Sequence, residues 1–173
     1  MMTADPRNMH DFAEVYDRYF DRVYNYVRYR VEDDAAADDV ASRVFEKALG
    51  RWETFDPSRG EVDAWLFAIA RSAVMDHFRS KRWRSWLPLD LFPERASSEP
   101  ASDAKLAEAE SLDELSAALQ GLDDRARDVL ALKFEARMTN RAIAEQTGLG
   151  ESHVAVLLFR SLKKLQAALK DRT

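Results

Sequence analysis

The sequence predicts an all-α protein: two small helical domains joined by an acidic linker. Three observations carry that prediction. Apolar residues recur at three- and four-residue spacing toward both ends of the 173-residue chain, the mark of amphipathic helices. No segment sustains the alternation of a half-buried strand. Between the two helical regions, LPLDLFPERASSEPASDAKLAEAE concentrates three of the five prolines with Ser and acidic residues. That composition reads as a linker, with an ordered acidic loop as the alternative.

Taken in order, Phe12, Val15, Tyr16, Tyr19, Val23 and Val27 form the stripe of a first helix. Glu32-Asp33-Asp34 interrupts it and offers a cap for the next helix, whose stripe is Val40, Val44, Phe45 and Ala48. Phe55-Asp56-Pro57-Ser58-Arg59-Gly60 is turn chemistry. A third helix runs from about Val62 to Arg84, with Leu66, Ile69, Ala70, Ala73 and Phe78 on one side. From about Ser102 the Ala, Glu and Leu content predicts a helix beginning inside the acidic stretch. Leu112, Leu115, Leu119 and Leu122 start a second bundle, which Val129, Leu130, Leu132 and Phe134 continue. Thr139 fits the N-cap of a short helix, and Gly148 would close it in a left-handed conformation. Leu149 plugs the corner, and a last helix runs from Glu151 with Val154, Leu158, Leu162 and Leu165 buried. This is a helix-turn-helix pattern, whose second helix normally enters the major groove; a plain helical hairpin is the alternative.

Composition excludes several classes. There is no Cys, hence no disulfide, thiol catalysis or cysteine-rich zinc site, and His10, His77 and His153 show no metal-ligand spacing. MMTADPRNMHDF lacks the apolar core of a signal peptide, and no run of about 18 apolar residues exists. The expectation is a cytoplasmic protein with no membrane partner. No Ser/His/Asp set, phosphate-cradling Gly loop or clear carboxylate pair is present, so neither enzymatic chemistry, a cofactor, a metal nor a small-molecule substrate is expected.

The formal net charge of −5 taken alone argues against a phosphate binder. Its distribution changes that. Residues 1–86 carry 14 basic and 16 acidic side chains, 87–114 carry two and eight, and 115–173 carry 10 and seven. The deficit sits in the linker. In WLFAIARSAVMDHFRSKRWR, aromatic Trp65 and Phe67 lead to Arg79, Lys81, Arg82 and Arg84, interleaved with Trp83 and followed by Trp86. That helix suits phosphate contact beside base stacking. The plainer readings are core packing for Trp65 and a solvated, dipole-complementing end for the cations. In the last helix no Lys or Arg occurs from Glu151 to Phe159. Ser152 and His153 are its polar readers; Ala155, Val156 and Leu157 suit thymine methyls, or else Val156 and Phe159 pack against protein.

These residues resemble the extracytoplasmic-function (ECF) group of sigma-70 family RNA polymerase sigma factors. FAEVYDRYFDRVYNYVRYR, DDAAADDVASRVFEKAL and FDPSRGEVDAWLFAIARSAVMDHFRSKRWR resemble the family's region 2, and LDDRARDVLALKFEARMTNRAIAEQTGLGESHVAVLLFRSLKKL its region 4. The resemblance implies region 2 over 9–86, a linker over 87–111 and region 4 over 112–172. It implies that Asp38, Asp39, Val40, Arg43, Val44, Phe45 and Lys47 dock on the clamp helices of core RNA polymerase. Ser58, Arg59, Gly60 and Glu61 would capture a flipped base of the minus-ten element, and Trp65, Ser72, Asp76, Arg79, Lys81 and Arg82 would read and help melt promoter DNA there. Arg141, Glu151, Ser152, His153, Ala155, Val156 and Arg160 would lie at the minus-thirty-five element while region 4 packs on the polymerase flap. The acidic linker would thread toward the RNA exit. An anti-sigma factor is a further partner implied, for which the apolar pair Val156 and Phe159 is a candidate surface.

Three positions depart from the family pattern: Ser42-Arg43 where Gln-Glu is common, Ser72 where Asn is usual, and His153-Val154-Ala155-Val156-Leu157 where a polar and basic face is usual. The last predicts minus-thirty-five binding that is weak or unusually specified. The competing reading is a helix-turn-helix regulator that acts without polymerase, which would not need the Asp38–Lys47 segment.

Overall fold

Helices account for every regular element among the described residues, which are 9–31, 33–84 and 117–170 of a computed structural model. The chain divides into two units, Met1–Glu94 and Arg95–Thr173. The expected linker over 87–111, together with Leu112, Leu115, Trp86 and the side chains of His10, Trp83 and Arg84, lies outside the described residues.

In the first unit, α1 spans Met9–Arg30, α2 Asp34–Gly50 and α3 Val62–Arg84. Asp33 caps α2, its carboxylate accepting from the Ala36 N–H at 2.7 Å, as its place before the apolar stripe predicts. Two short 3₁₀ turns, Trp52–Thr54 and Pro57–Arg59, carry the chain to α3. The core is Val23, Tyr26 and Val27 from α1, Val40, Val44 and Ala48 from α2, and Leu66, Phe67, Ala70 and Val74 from α3. Adjacent Leu66 and Phe67 are both buried because α3 packs on α1 and on α2, which widens its apolar arc beyond one side. Tyr16, expected in the α1 stripe, is exposed instead and lies edge-on to Phe45 at 4.7 Å. Tyr26 takes the buried aromatic place, packed edge-to-face on Phe67.

In the second unit, residues 117–120 are helical, followed by α4 (Asp124–Phe134), α5 (Asn140–Thr147) and α6 (Glu151–Lys170). Asp123 caps α4 through the Ala126 N–H at 2.7 Å, and the Thr139 hydroxyl caps α5 through the Ala142 N–H at 3.1 Å. Gly148 sits at φ 72°, the left-handed turn predicted between α5 and α6. Leu122, Val129, Leu130, Leu132, Ile143, Val154, Leu158 and Leu165 form the core. Two expectations are corrected. Phe134 is exposed at the end of α4. Leu162 is 45 % exposed, and Ser161, 3 % exposed, holds the buried position. The Ser161 hydroxyl donates to the Leu157 carbonyl at 2.7 Å, so a small polar side chain sits there without an unmet hydrogen bond.

Candidate nucleic-acid interface

The loop between α2 and α3 builds a recess on an aromatic base. Trp52 and Phe55 stack at 5.4 Å with an interplanar angle of 10°, and Trp65 of α3 closes on both, at 5.9 and 5.3 Å. Phe12 braces Trp52 from α1 at 5.6 Å. The Asp56 carboxylate accepts from the Ser58 N–H at 3.0 Å and from its hydroxyl at 2.7 Å, which tightens the turn before Gly60. The result is a cavity of about 240 Å³ floored by Phe55, Ala64 and Trp65 and rimmed by Thr54, Asp56, Arg59, Gly60 and Glu61. It is smaller than the roughly 300–1,000 Å³ of most small-molecule sites. Of its lining, Thr54 and Phe55 precede the loop that the resemblance implies; the signal available is the aromatic Phe55 directly before the turn.

From this cavity a row runs down α3. Trp65, Ala68, Ser72, Asp76 and Arg79 follow at three- and four-residue spacing, and all but the half-buried Trp65 are exposed. The fourteen helical rises from Trp65 to Arg79 make the row about 21 Å long. Asp76 is engaged by two cations: Lys47 of α2 reaches one carboxylate oxygen at 3.2 Å and Arg79 the other at 3.4 Å. Lys81 and Arg82 are exposed, but Lys81 lies about 200° around the helix from Arg79 and is not brought onto the row.

On α2, Val40, Val44 and Phe45 are buried in the unit's own core. The face left to solvent is Asp38, Asp39, Ser42, Arg43, Glu46 and the exposed apolar Leu49. Asp38 accepts from the Tyr24 hydroxyl at 2.8 Å. That hydrogen bond, with burial and the carboxylate charge behind it, raises the Tyr24 pKa. Leu49 falls outside the Val40, Val44, Phe45 and Ala48 stripe and stands in solvent.

In the second unit the helix-turn-helix exposes Glu151, Ser152, His153, Ala155, Val156 and Arg160 along the front of α6, while Val154 and Leu158 face inward. Arg141 on α5 is exposed and paired with Glu145 at 3.2 Å. Among the described residues no group of His, Cys, Asp and Glu could hold a metal ion, and no helix is long and apolar enough to cross a membrane.

Known proteins match both units. The family model for sigma-70 region 2 matches residues 15–84, and that for sigma-70 region 4 matches 118–167. The ECF RNA polymerase sigma factor BldN of Streptomyces coelicolor is 31 % identical over 92 % of this chain, which spans 61 % of BldN's length. The ECF RNA polymerase sigma factor RpoE of Cereibacter sphaeroides is 30 % identical over 84 % of this chain and 78 % of its own. The sigma factor RpoE solved in complex with the anti-sigma factor NepR from Bartonella quintana shares the fold, with a TM-score of 0.77 over 94 % of this chain and 98 % of that one at 20 % identity. The chain belongs to the sigma-70 family of RNA polymerase sigma factors, in its extracytoplasmic-function group.

Proposed function

We propose that this sigma factor acts in the cytoplasm, directs core RNA polymerase to specific promoters and assists strand opening, with no chemistry of its own. The observation that carries the reading is the aromatic-floored cavity continuous with the α3 row. Unstacking a base costs a few kcal/mol. A recess with an aromatic floor and a rim of Arg59 and Glu61 compensates for that cost only for an unpaired strand, so it favours the melted promoter over duplex. Arg79 then follows the strand's phosphates along the row, while Ser72 meets base edges. The exposed side of α2, Asp39, Arg43, Glu46 and Leu49, is the polymerase-docking face; Val40, Val44 and Phe45 support it from beneath. Region 4 takes α6 to the upstream duplex and packs on the flap. Like the RpoE solved with NepR, the chain is expected to take an anti-sigma partner.

The test separates the faces. Replacing Asp39 and Glu46 with Lys is expected to abolish core polymerase binding. Replacing Arg79, Lys81 and Arg82 with Ala is expected to weaken promoter opening and leave core binding nearly intact. Equal loss of core binding in both variants contradicts the assignment.

A further inference from the structure

The front of α6 carries apolar area that the fold does not use. At about 100° per residue, Ser152, Val156, Phe159 and Lys163 stand on the outward line, opposite the buried Val154, Leu158 and Leu165. Val156 is 46 % and Phe159 61 % exposed, so neither belongs to the core of this unit. Lys163 holds its ammonium 5.1 Å from the Phe159 ring centroid. Side by side on one helix face, Val156 and Phe159 form a contiguous apolar patch, the feature that distinguishes a contact surface from scattered exposed residues.

The charge around them indicates the occupant. No acidic residue occurs from Ser152 to Lys170, whereas Arg160, Lys163 and Lys164 are exposed just beyond the apolar pair. Apolar groups at the centre with cations beyond them complement a DNA groove floor and its phosphate wall. The guanidinium or ammonium that would fork onto guanine is missing from residues 151–159. Thymine alone presents a methyl group on the major-groove edge, and small apolar and aromatic side chains are its natural contacts. We propose that α6 reads thymine 5-methyl groups through Ala155, Val156 and Phe159, with Arg160 and Lys163 on neighbouring phosphates. The upstream promoter element then carries adjacent thymines. This rests on the reading that α6 enters the major groove.

The experiment uses the full chain assembled with core polymerase. Promoter fragments randomised over the upstream duplex are prepared twice, with thymine or with deoxyuridine, which differs on its base only by the missing methyl. The thymine pool is expected to enrich adjacent thymines. In the selected sequences, deoxyuridine is expected to weaken binding by about fourfold for each methyl covered. Val156→Ser and Phe159→Ser, both surface changes, are expected to erase the difference. Equal retention of the two pools, with selection still altered by the α6 variants, overturns methyl reading while leaving groove entry intact. A thymine preference that persists in both variants also overturns it. If neither pool shows upstream selection and the variants behave as wild type, groove entry itself fails and the apolar face is left to a protein partner.

Discussion

Replacing Trp65 with Ala removes an aromatic ring from the floor of the cavity, and its effect divides into a folding part and a DNA part. The ring contacts Phe55 at 5.3 Å and Trp52 at 5.9 Å. Aromatic pairs contribute about 0.5–1.5 kcal/mol each. Trp65 is only half-buried, so the folding cost falls near 2 kcal/mol, below the roughly 3–5 kcal/mol of a fully buried aromatic. Stacking of a base on an aromatic side chain is worth about 1–3 kcal/mol, or roughly 5- to 150-fold in open-complex stability. The assay is open-complex formation by holoenzyme on a fluorescent promoter, at a temperature where circular dichroism shows the variant folded. An abasic nucleotide is walked along the non-template strand. At one position the abasic site is expected to weaken the wild type by the stacking factor and leave Trp65→Ala unaffected, the non-additivity of two changes to one contact. Trp65→Phe is expected to keep most of the wild-type response. If Trp65→Ala loses the same factor at every abasic position, the cavity captures no base.

Other perturbations follow from the same geometry. Arg79→Ala is expected to lower the salt-dependence slope of binding to single-stranded promoter DNA by about 0.7, one phosphate contact, in a titration of holoenzyme against salt. Gly148→Ala meets no neighbour within 4 Å, so its cost is the left-handed backbone alone, about 1–2 kcal/mol in urea unfolding of the full chain. Tyr24 is expected to ionise above its ordinary value of 10.0, read from tyrosinate absorbance, and Asp38→Asn to bring it back down. Because the folded-state pKa is raised, the stabilisation from this bond is present below the ordinary value and is lost as pH rises through the raised one. Leu162→Ser is expected to change stability by less than about 0.5 kcal/mol, against about 2–5 kcal/mol for the buried Leu165→Ala.

How much was legible follows from what each signal measures. Helix caps are local, so Asp33, Thr139 and Gly148 could be read from one residue and its neighbours. Core stripes were legible where size and period agreed, as at Val40, Val44 and Leu66. They failed where period left two choices. Ser161 and Leu162 both satisfy helical spacing from Leu158, and hydropathy favours Leu162. The structure favours Ser161 because its hydroxyl is satisfied by its own helix. The helices that carry the candidate residues were legible, but which of those side chains share a face was not. Trp65, Ser72, Asp76 and Arg79 fall on one row, Lys81 does not, and Asp76 is bridged to α2 by Lys47, a pairing 29 residues apart. The aromatic floor of the cavity, Phe55 and Trp65 packed on the buried Trp52, is a tertiary feature assembled across the loop and α3.

As a sigma factor, this chain is expected to turn core polymerase into a promoter-specific enzyme. Run-off transcription from a promoter library, with core polymerase alone and with the chain added, tests it most directly. Transcripts are expected from a discrete set of templates sharing sequence upstream of the start, dependent on added chain and lost in the Asp39→Lys, Glu46→Lys variant. Initiation no greater than with core alone contradicts it.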